Sequence, residues 1–322
     1  MSGTDYVVKR TVFALMTVLV AITLNFVIFR AAPGDATSSL AKCRNCTPEF
    51  RAALREELGL DKPKLEQYWI YVKDLARGDL GDSFVSRQPV WQELKQPILN
   101  TLPMVGLGYL ISIVLGVLVG VVAAWRRGTF LDWGGVSTAL FFYSMPQQWF
   151  GLMLLILLGG VLPASGVSDP FIDFLDPSWW EVVLDRLEHM ILPALTLGLV
   201  LYGQYALIVR SSMLEALGED YIMTARAKGL SSWAIVRKHA LRTSLLPIAT
   251  LVALTFGYII GGDILVEAVF SYPGIGLATY EAVFDRDYPV LQGAFLLLTL
   301  SVIMANLVAD LLYFKLDPRI TG

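Results

Sequence analysis

RSSMLEALGEDYIMTARAKGLSSWAIVRKHALRTSLLP, from Arg210 to Pro247, is a polar island between two long apolar runs. Its pattern reads as two short helices broken by one glycine. The first carries its acids early (Glu215, Glu219, Asp220) and its bases late (Arg226, Lys228), the order the helix dipole favours. Leu214, Leu217, Tyr221 and Ala225 recur at helical spacing, so one face is apolar. Gly229 stands where a left-handed C′ residue would end that helix, and Ser231 or Ser232 can cap the next. The second helix then shows Trp233, Val236 and Ala240 on one side, with Arg237, Lys238 and Arg242 around it. Such a hairpin could exchange force with a partner protein. A plainer reading stands beside it, since basic loops on the inner face of a membrane protein often only set topology.

Composition gives that island its setting. Of 322 residues, 55% are hydrophobic and 16% charged, and the mean hydropathy is +0.59, which points to a membrane protein. The apolar residues fall into runs too long for ordinary core helices. Spans are expected at 11–29, 101–125, from Trp133 past Leu162, to Val209 after Pro193, at 244–262 and at 290–309. A cleaved signal peptide is the alternative for the first, but Arg30 and Pro33 spoil the cleavage context. Pro146 lies inside the third and frees a backbone carbonyl, serving either a bend in a pore lining or a static packing kink. The resulting expectation is an all-α membrane protein of six transmembrane helices.

Between the first two spans lie about seventy residues, too many for a passive turn. Pro48 can open a helix with Phe50, Leu54 and Leu58 on one face, and Leu65, Tyr68, Trp69 and Val72 form a second stripe ending near Gly78. The domains expected are 1–30 with the first helix, 31–100 as an extracytoplasmic loop, and 101–322 as a five-helix core containing the loop at 210–247. Cys43 and Cys46 are the only cysteines. Their C-x-x-C spacing suits a local disulfide outside the cytoplasm, with free thiols the alternative. No metal site is expected, because His189 and His239 belong to other loops and four ligands are not assembled. A lone His189 reads as a satisfied interfacial residue, and the Trp179-Trp180 pair as an interfacial anchor.

The ordered text of the loop goes beyond amphipathicity. Glu215, Asp220-Tyr221, Thr224-Ala225-Arg226-Ala227-Lys228-Gly229-Leu230 and His239-Ala240-Leu241-Arg242 resemble the cytoplasmic EAA loop of permease subunits in ABC importers for dipeptides, oligopeptides and nickel. Elsewhere Pro33-Gly34-Asp35, Leu58-Gly59-Leu60-Asp61, Gly78-Asp79-Leu80-Gly81-Asp82-Ser83, Ser144-Met145-Pro146, Leu192-Pro193-Ala194, Arg286-Asp287-Tyr288-Pro289 and Asp317-Pro318-Arg319 resemble motifs of the same family. So does Glu267-Ala268-Val269-Phe270-Ser271-Tyr272-Pro273-Gly274-Ile275-Gly276, whose glycines and prolines suit a scoop-like reversal at the outer mouth. The Cys43–Cys46 insert departs from the pattern. The resemblance implies that Glu215, Asp220, Tyr221, Ala225, Arg226, Ala227, Lys228, Gly229, Leu230, Arg237 and His239 form coupling helices against an ATPase. It implies four kinds of partner: a homologous second permease, cytoplasmic ATPases carrying ATP and Mg, an extracytoplasmic solute-binding protein and the lipid bilayer. This chain would bind no cofactor. Neutral polar groups such as Asn25, Tyr143, Gln147, Gln204 and Tyr258 would line the pathway, leaving selectivity to the binding protein.

Charge gives topology independently. With six spans both termini share a side with Lys9, Arg10, Arg126, Arg127, Arg210, Arg226, Lys228, Arg237, Lys238, Arg242, Lys315 and Arg319, while the short loops opposite hold only Arg186 and Arg286. That side is the cytoplasm, and the resemblance implies that the membrane is a prokaryotic inner membrane. The competing function is an ion-coupled carrier or channel acting alone. Such carriers keep ionisable groups inside their spans, and the span centres here hold none. Nucleic acid is not indicated, and no nucleophile is assembled with a base for an enzyme.

Overall fold

The computed structural model describes residues 3–31 and 61–316. Among them the chain is all-α apart from an isolated bridge between Asp82 and Pro89. In order come α1 (Gly3–Ala31), α2 (Lys64–Leu75), α3 (Val90–Trp125), α4 (Phe130–Ser144), α5 (Gln147–Leu158), α6 (Trp179–Leu217), α7 (Asp220–Ala227), α8 (Ser232–Ile235), α9 (Leu241–Ser244), α10 (Leu246–Ile259), α11 (Ile264–Val269), α12 (Ile275–Asp285) and α13 (Tyr288–Leu316). Four of these are long and apolar enough to cross a membrane, and the α4–α5 pair makes a fifth if counted as one span. The motifs around Pro33, Pro48, Leu58 and Asp317 and the Cys43–Cys46 pair lie outside the described residues.

Several expected boundaries move. The second span begins at Val90 rather than Thr101, giving a helix of 36 residues, about 54 Å at 1.5 Å per residue. The loop expected to reach Glu188 instead gives way at Trp179 to α6, whose N-terminus Ser178 and Glu181 close with a reciprocal capping box. The kink expected at Pro146 is a break: α4 and α5 meet at 101°. Its cause is local. Proline drives the residue before it out of the helical region, and Met145 is extended at φ −77°, ψ 133°. Where the fifth span was expected stands a helix of 14 residues, about 21 Å, because Leu245 interrupts it from α9.

The chain divides into two compact units. One holds α1, α2, the start of α3, α12 and α13. Here α2 packs on α1 through Tyr68 and Tyr71, whose rings lie 5.3 Å and 5.7 Å from that of Phe26. The expected α2 stripe is therefore half right, since Tyr68 and Val72 are half-buried but Leu65 and Trp69 are 71% and 63% exposed. Two sequence motifs meet through Asp287, which is 3% exposed. Its carboxylate accepts from the Ser83 hydroxyl at 2.5 Å and from the Phe84 and Val85 amides at 3.1 and 3.2 Å.

The other unit is built on α6. Glycines of α3 let the two backbones come close: a Cβ at Gly120 would sit 2.6 Å from the Ala206 carbonyl, and one at Gly108 2.7 Å from Leu197. Such small-residue seams replace the hydrophobic drive that lipid does not supply. α4 lies on the same helix, with Ala139, Tyr202 and Ala206 forming a buried cluster. On α11, Glu267 is fully buried and accepts from the Thr101 hydroxyl at 2.9 Å. Burial, then the Glu267 charge, push the neighbouring Tyr272 phenol up to about 12, so it stays protonated.

Candidate functional site

The polar island folds as a bent hairpin, with one more break than expected. Residues 210–217 continue α6, and the first interruption falls at Gly218, which caps α6 in an ordinary helical conformation (φ −85°, ψ −11°). The second falls at Gly229, with φ 78°. There the Leu230 amide donates to the Ala225 carbonyl at 3.3 Å and the Gly229 amide to Arg226 at 2.9 Å, the paired bonds of a Schellman cap. Ser231 then caps α8, its hydroxyl accepting from the Ala234 amide at 3.3 Å. After α8 the chain widens into a π turn at Val236–Ala240 before α9.

The hairpin has a buried and a bare face. Ile222, Ala225, Ile235, Val236 and Ala240 are each at most 4% exposed and pack with Met213 and Ala216. Tyr221, expected on that inner face, instead points outward at 40% exposure, its hydroxyl 3.4 Å from that of Thr243. Trp233, also expected inside, is 51% exposed, though its ring lies 5.2 Å from that of Trp125. The bare face gathers Glu215, Asp220, Tyr221, Met223, Arg226, Ala227, Lys228, Gly229, Leu230 and Arg237, while His239 is half-buried. Of the proposed coupling residues, Ala225 alone is buried. Ile222 was missed, although its i+3 spacing from Ala225 marks it on the sequence.

The hairpin's root is held by a pair that pattern reading did not find. Arg210 donates from Nε to Asp132 Oδ1 at 2.7 Å and from Nη2 to Oδ2 at 3.0 Å, and the Gly128 amide donates to the same carboxylate at 2.9 Å. This bidentate pair joins the start of α4 to the last turns of α6. Asp132→Asn should cost about 1–2 kcal/mol, read as a fall in thermal midpoint, because the forked guanidinium then loses its charged partner.

The other candidate residues are dispersed. Tyr143, 47% exposed, and Gln147 flank the Pro146 break, and Tyr143 Cβ would lie 2.7 Å from a Cβ at Gly203, the neighbour of Gln204. Tyr258 on α10 is 55% exposed. Asn25, in the first unit, is 8% exposed and donates to the Gln292 carbonyl at 3.2 Å. Phe270 is 1% exposed, Gly274 and Gly276 are buried and Pro273 is exposed. His189 is bonded to the Asp185 carbonyl at 2.8 Å, as a satisfied interfacial histidine should be. Among the described residues no three His, Cys, Asp or Glu side chains gather as metal ligands.

Comparison with known proteins adds an independent finding. Residues 116–322 match the family described as binding-protein-dependent transport system inner membrane component, and residues 4–105 match its N-terminal region. The chain is 40% identical over 333 aligned residues to the dipeptide transport system permease protein DppB of Escherichia coli K12, covering 98% of both. It is 38% identical to the di/tripeptide transport system permease protein DppB of Pseudomonas aeruginosa over 98% of both chains. It is 36% identical to the glutathione transport system permease protein GsiC of Salmonella choleraesuis, again over 98% of both.

Proposed function

The chain belongs to the family of binding-protein-dependent transport system inner membrane components, the permease subunits of ABC importers, and we propose on that premise that the 220–244 hairpin receives the work of ATP hydrolysis. As a membrane component it is not itself the ATPase, binds no cofactor, and works with a binding protein and ATPase subunits. The hairpin reading rests on one observation: a capped pair of helices whose inner face is buried and whose outer face, with four cations at Arg226, Lys228, Arg237 and Lys238, is bare. A partner that closes on ATP can bias such an element between two states.

The cargo is a short peptide, in keeping with the names of the relatives, and the second permease is a homologue. Neutral groups near the Pro146 break, Tyr143, Gln147 and Gln204, offer it weak contact. Six crossings follow if α9 and α10 act as one helix. The Leu245 amide donates to Leu241 and the Ala249 amide to Leu245, so hydrogen bonding bridges the interruption. Leu241 to Ile259 then covers about 28 Å, close to a hydrocarbon core of about 30 Å. An even count puts both termini on the hairpin's side, which the Lys and Arg bias makes the cytoplasm, leaving 31–100 outside and 101–322 as the transport core. Glu267 to Gly276 lies at the outer mouth.

In proteoliposomes holding all subunits and the loaded binding protein, peptide uptake should require ATP on the hairpin side and persist when proton and sodium gradients are collapsed. Gradient-driven uptake by this chain alone would instead favour the carrier.

A further inference from the structure

Two cavities of the first unit share Leu80 as a wall. One, of about 250 Å³, carries the charged and polar side chains of Arg30, Tyr71, Asp74, Asp79 and Asp82 in a wall that also includes apolar groups such as Phe29 and Ile70. The other, of about 530 Å³, is bounded by aliphatic side chains of α1, α2 and α13, including Val18, Ile22, Leu75, Leu297 and Leu300. Depths agree on both long helices. Val18 lies twelve positions before Arg30 and Leu300 twelve after Tyr288, about 18 Å in each case. One membrane leaflet has a hydrocarbon depth of about 15 Å. The paired cavities thus run from the end of a span to near the bilayer centre, with the charged groups at the top and apolar groups below.

We infer that they form one binding site for an aminophospholipid, with its phosphodiester on Arg30, its primary ammonium among Asp74, Asp79 and Asp82, and an acyl chain in the aliphatic groove.

The chemistry selects among headgroups. A guanidinium is the forked donor best matched to phosphate oxygens. Arg30 lies over the Phe26 ring at 5.6 Å and reaches the cavity wall, which places its guanidinium where a phosphate could be met. A primary ammonium brings three N–H donors to carboxylates, whereas a choline headgroup brings none. A headgroup that is anionic without an amine would set its charge beside three acids. The groove cannot discriminate by itself, because lipid tails are as apolar inside it as outside. Selection therefore falls on the cavity that holds the charged groups. Beside the groove, Leu15, Leu19 and Leu24 of α1 are more than half exposed, which leaves apolar surface for an acyl chain to continue along.

The assembled transporter, held in nanodiscs of equal phosphatidylethanolamine, phosphatidylcholine and phosphatidylglycerol, would be moved to detergent and its retained lipids counted by native mass spectrometry. Phosphatidylethanolamine should be retained about tenfold over the others, a difference of 1.4 kcal/mol. Arg30→Gln, and separately the pair Asp74→Asn with Asp82→Asn, should remove that preference. Leu300→Trp should reduce retention by filling the groove with the charged groups intact. Soluble phosphoethanolamine should not displace the lipid, and displacement at millimolar concentration would refute the acyl component. Equal retention of all three lipids by the wild type, or an unchanged preference in Arg30→Gln, would overturn the site. If Arg30→Gln does not assemble, the wild-type preference and Leu300→Trp decide.

Discussion

Gly229→Val should lower substrate-stimulated ATP hydrolysis by the assembled transporter by about tenfold while leaving the subunits associated. A Cβ at Gly229 would meet nothing within 4 Å, so crowding is not the cause. The cost is conformational, since φ is 78° and a β-branched residue held there is strained by about 1–3 kcal/mol. That strain opens the cap in which the Gly229 and Leu230 amides return to Arg226 and Ala225, and it re-aims α8 relative to α7. Asn tolerates the left-handed region, so Gly229→Asn should keep most of the coupling. A Val variant with full stimulation would show that the turn's geometry carries no force.

Gly120→Val should act earlier, on folding itself. Its Cβ would stand 2.6 Å from the Ala206 carbonyl and 2.7 Å from Val209 Cβ, and a helix backbone cannot retreat as the end of a side chain can. Overpacking of this kind costs about 1–3 kcal/mol or more, a large share of a marginal total. The yield of monodisperse protein in size-exclusion chromatography should fall about tenfold. Gly106→Ala, on the same helix with nothing within 4 Å of its Cβ, is the control and should assemble normally. Equal yields for both would mean that the seam is looser than described.

What could be read from the sequence was local chemistry. The Gly229 cap and the Ser231 cap depend on residues within five positions of each other, and both are present. Gly218 was passed over because it adopts an ordinary helical conformation, so nothing in its identity signals a break. The Pro146 break was legible as a bend, and its size follows from Met145 being extended. Tyr221 and Trp233 misled because an aromatic at helical spacing fits an apolar stripe or the polar edge of one equally well. The Arg210–Asp132 pair bridges 78 positions, and the Ser83–Asp287 bond bridges 204. The motifs holding Ser83 and Asp287 were visible, Asp132 belonged to none, and only the tertiary fold brings either pair together.

Family membership makes this chain a permease, and the remaining question is whether the bare face of the hairpin is where the ATPase sits. A photo-crosslinking amino acid at Met223, 62% exposed on α7, tests this directly in the assembled transporter. Phe174, 84% exposed in the turn before α6, is the control, on the side that the proposed topology puts outside. The account predicts that irradiation joins Met223 to the ATPase subunit and leaves Phe174 without that product. An ATPase adduct at Phe174, or a Met223 adduct with the binding protein, would contradict it.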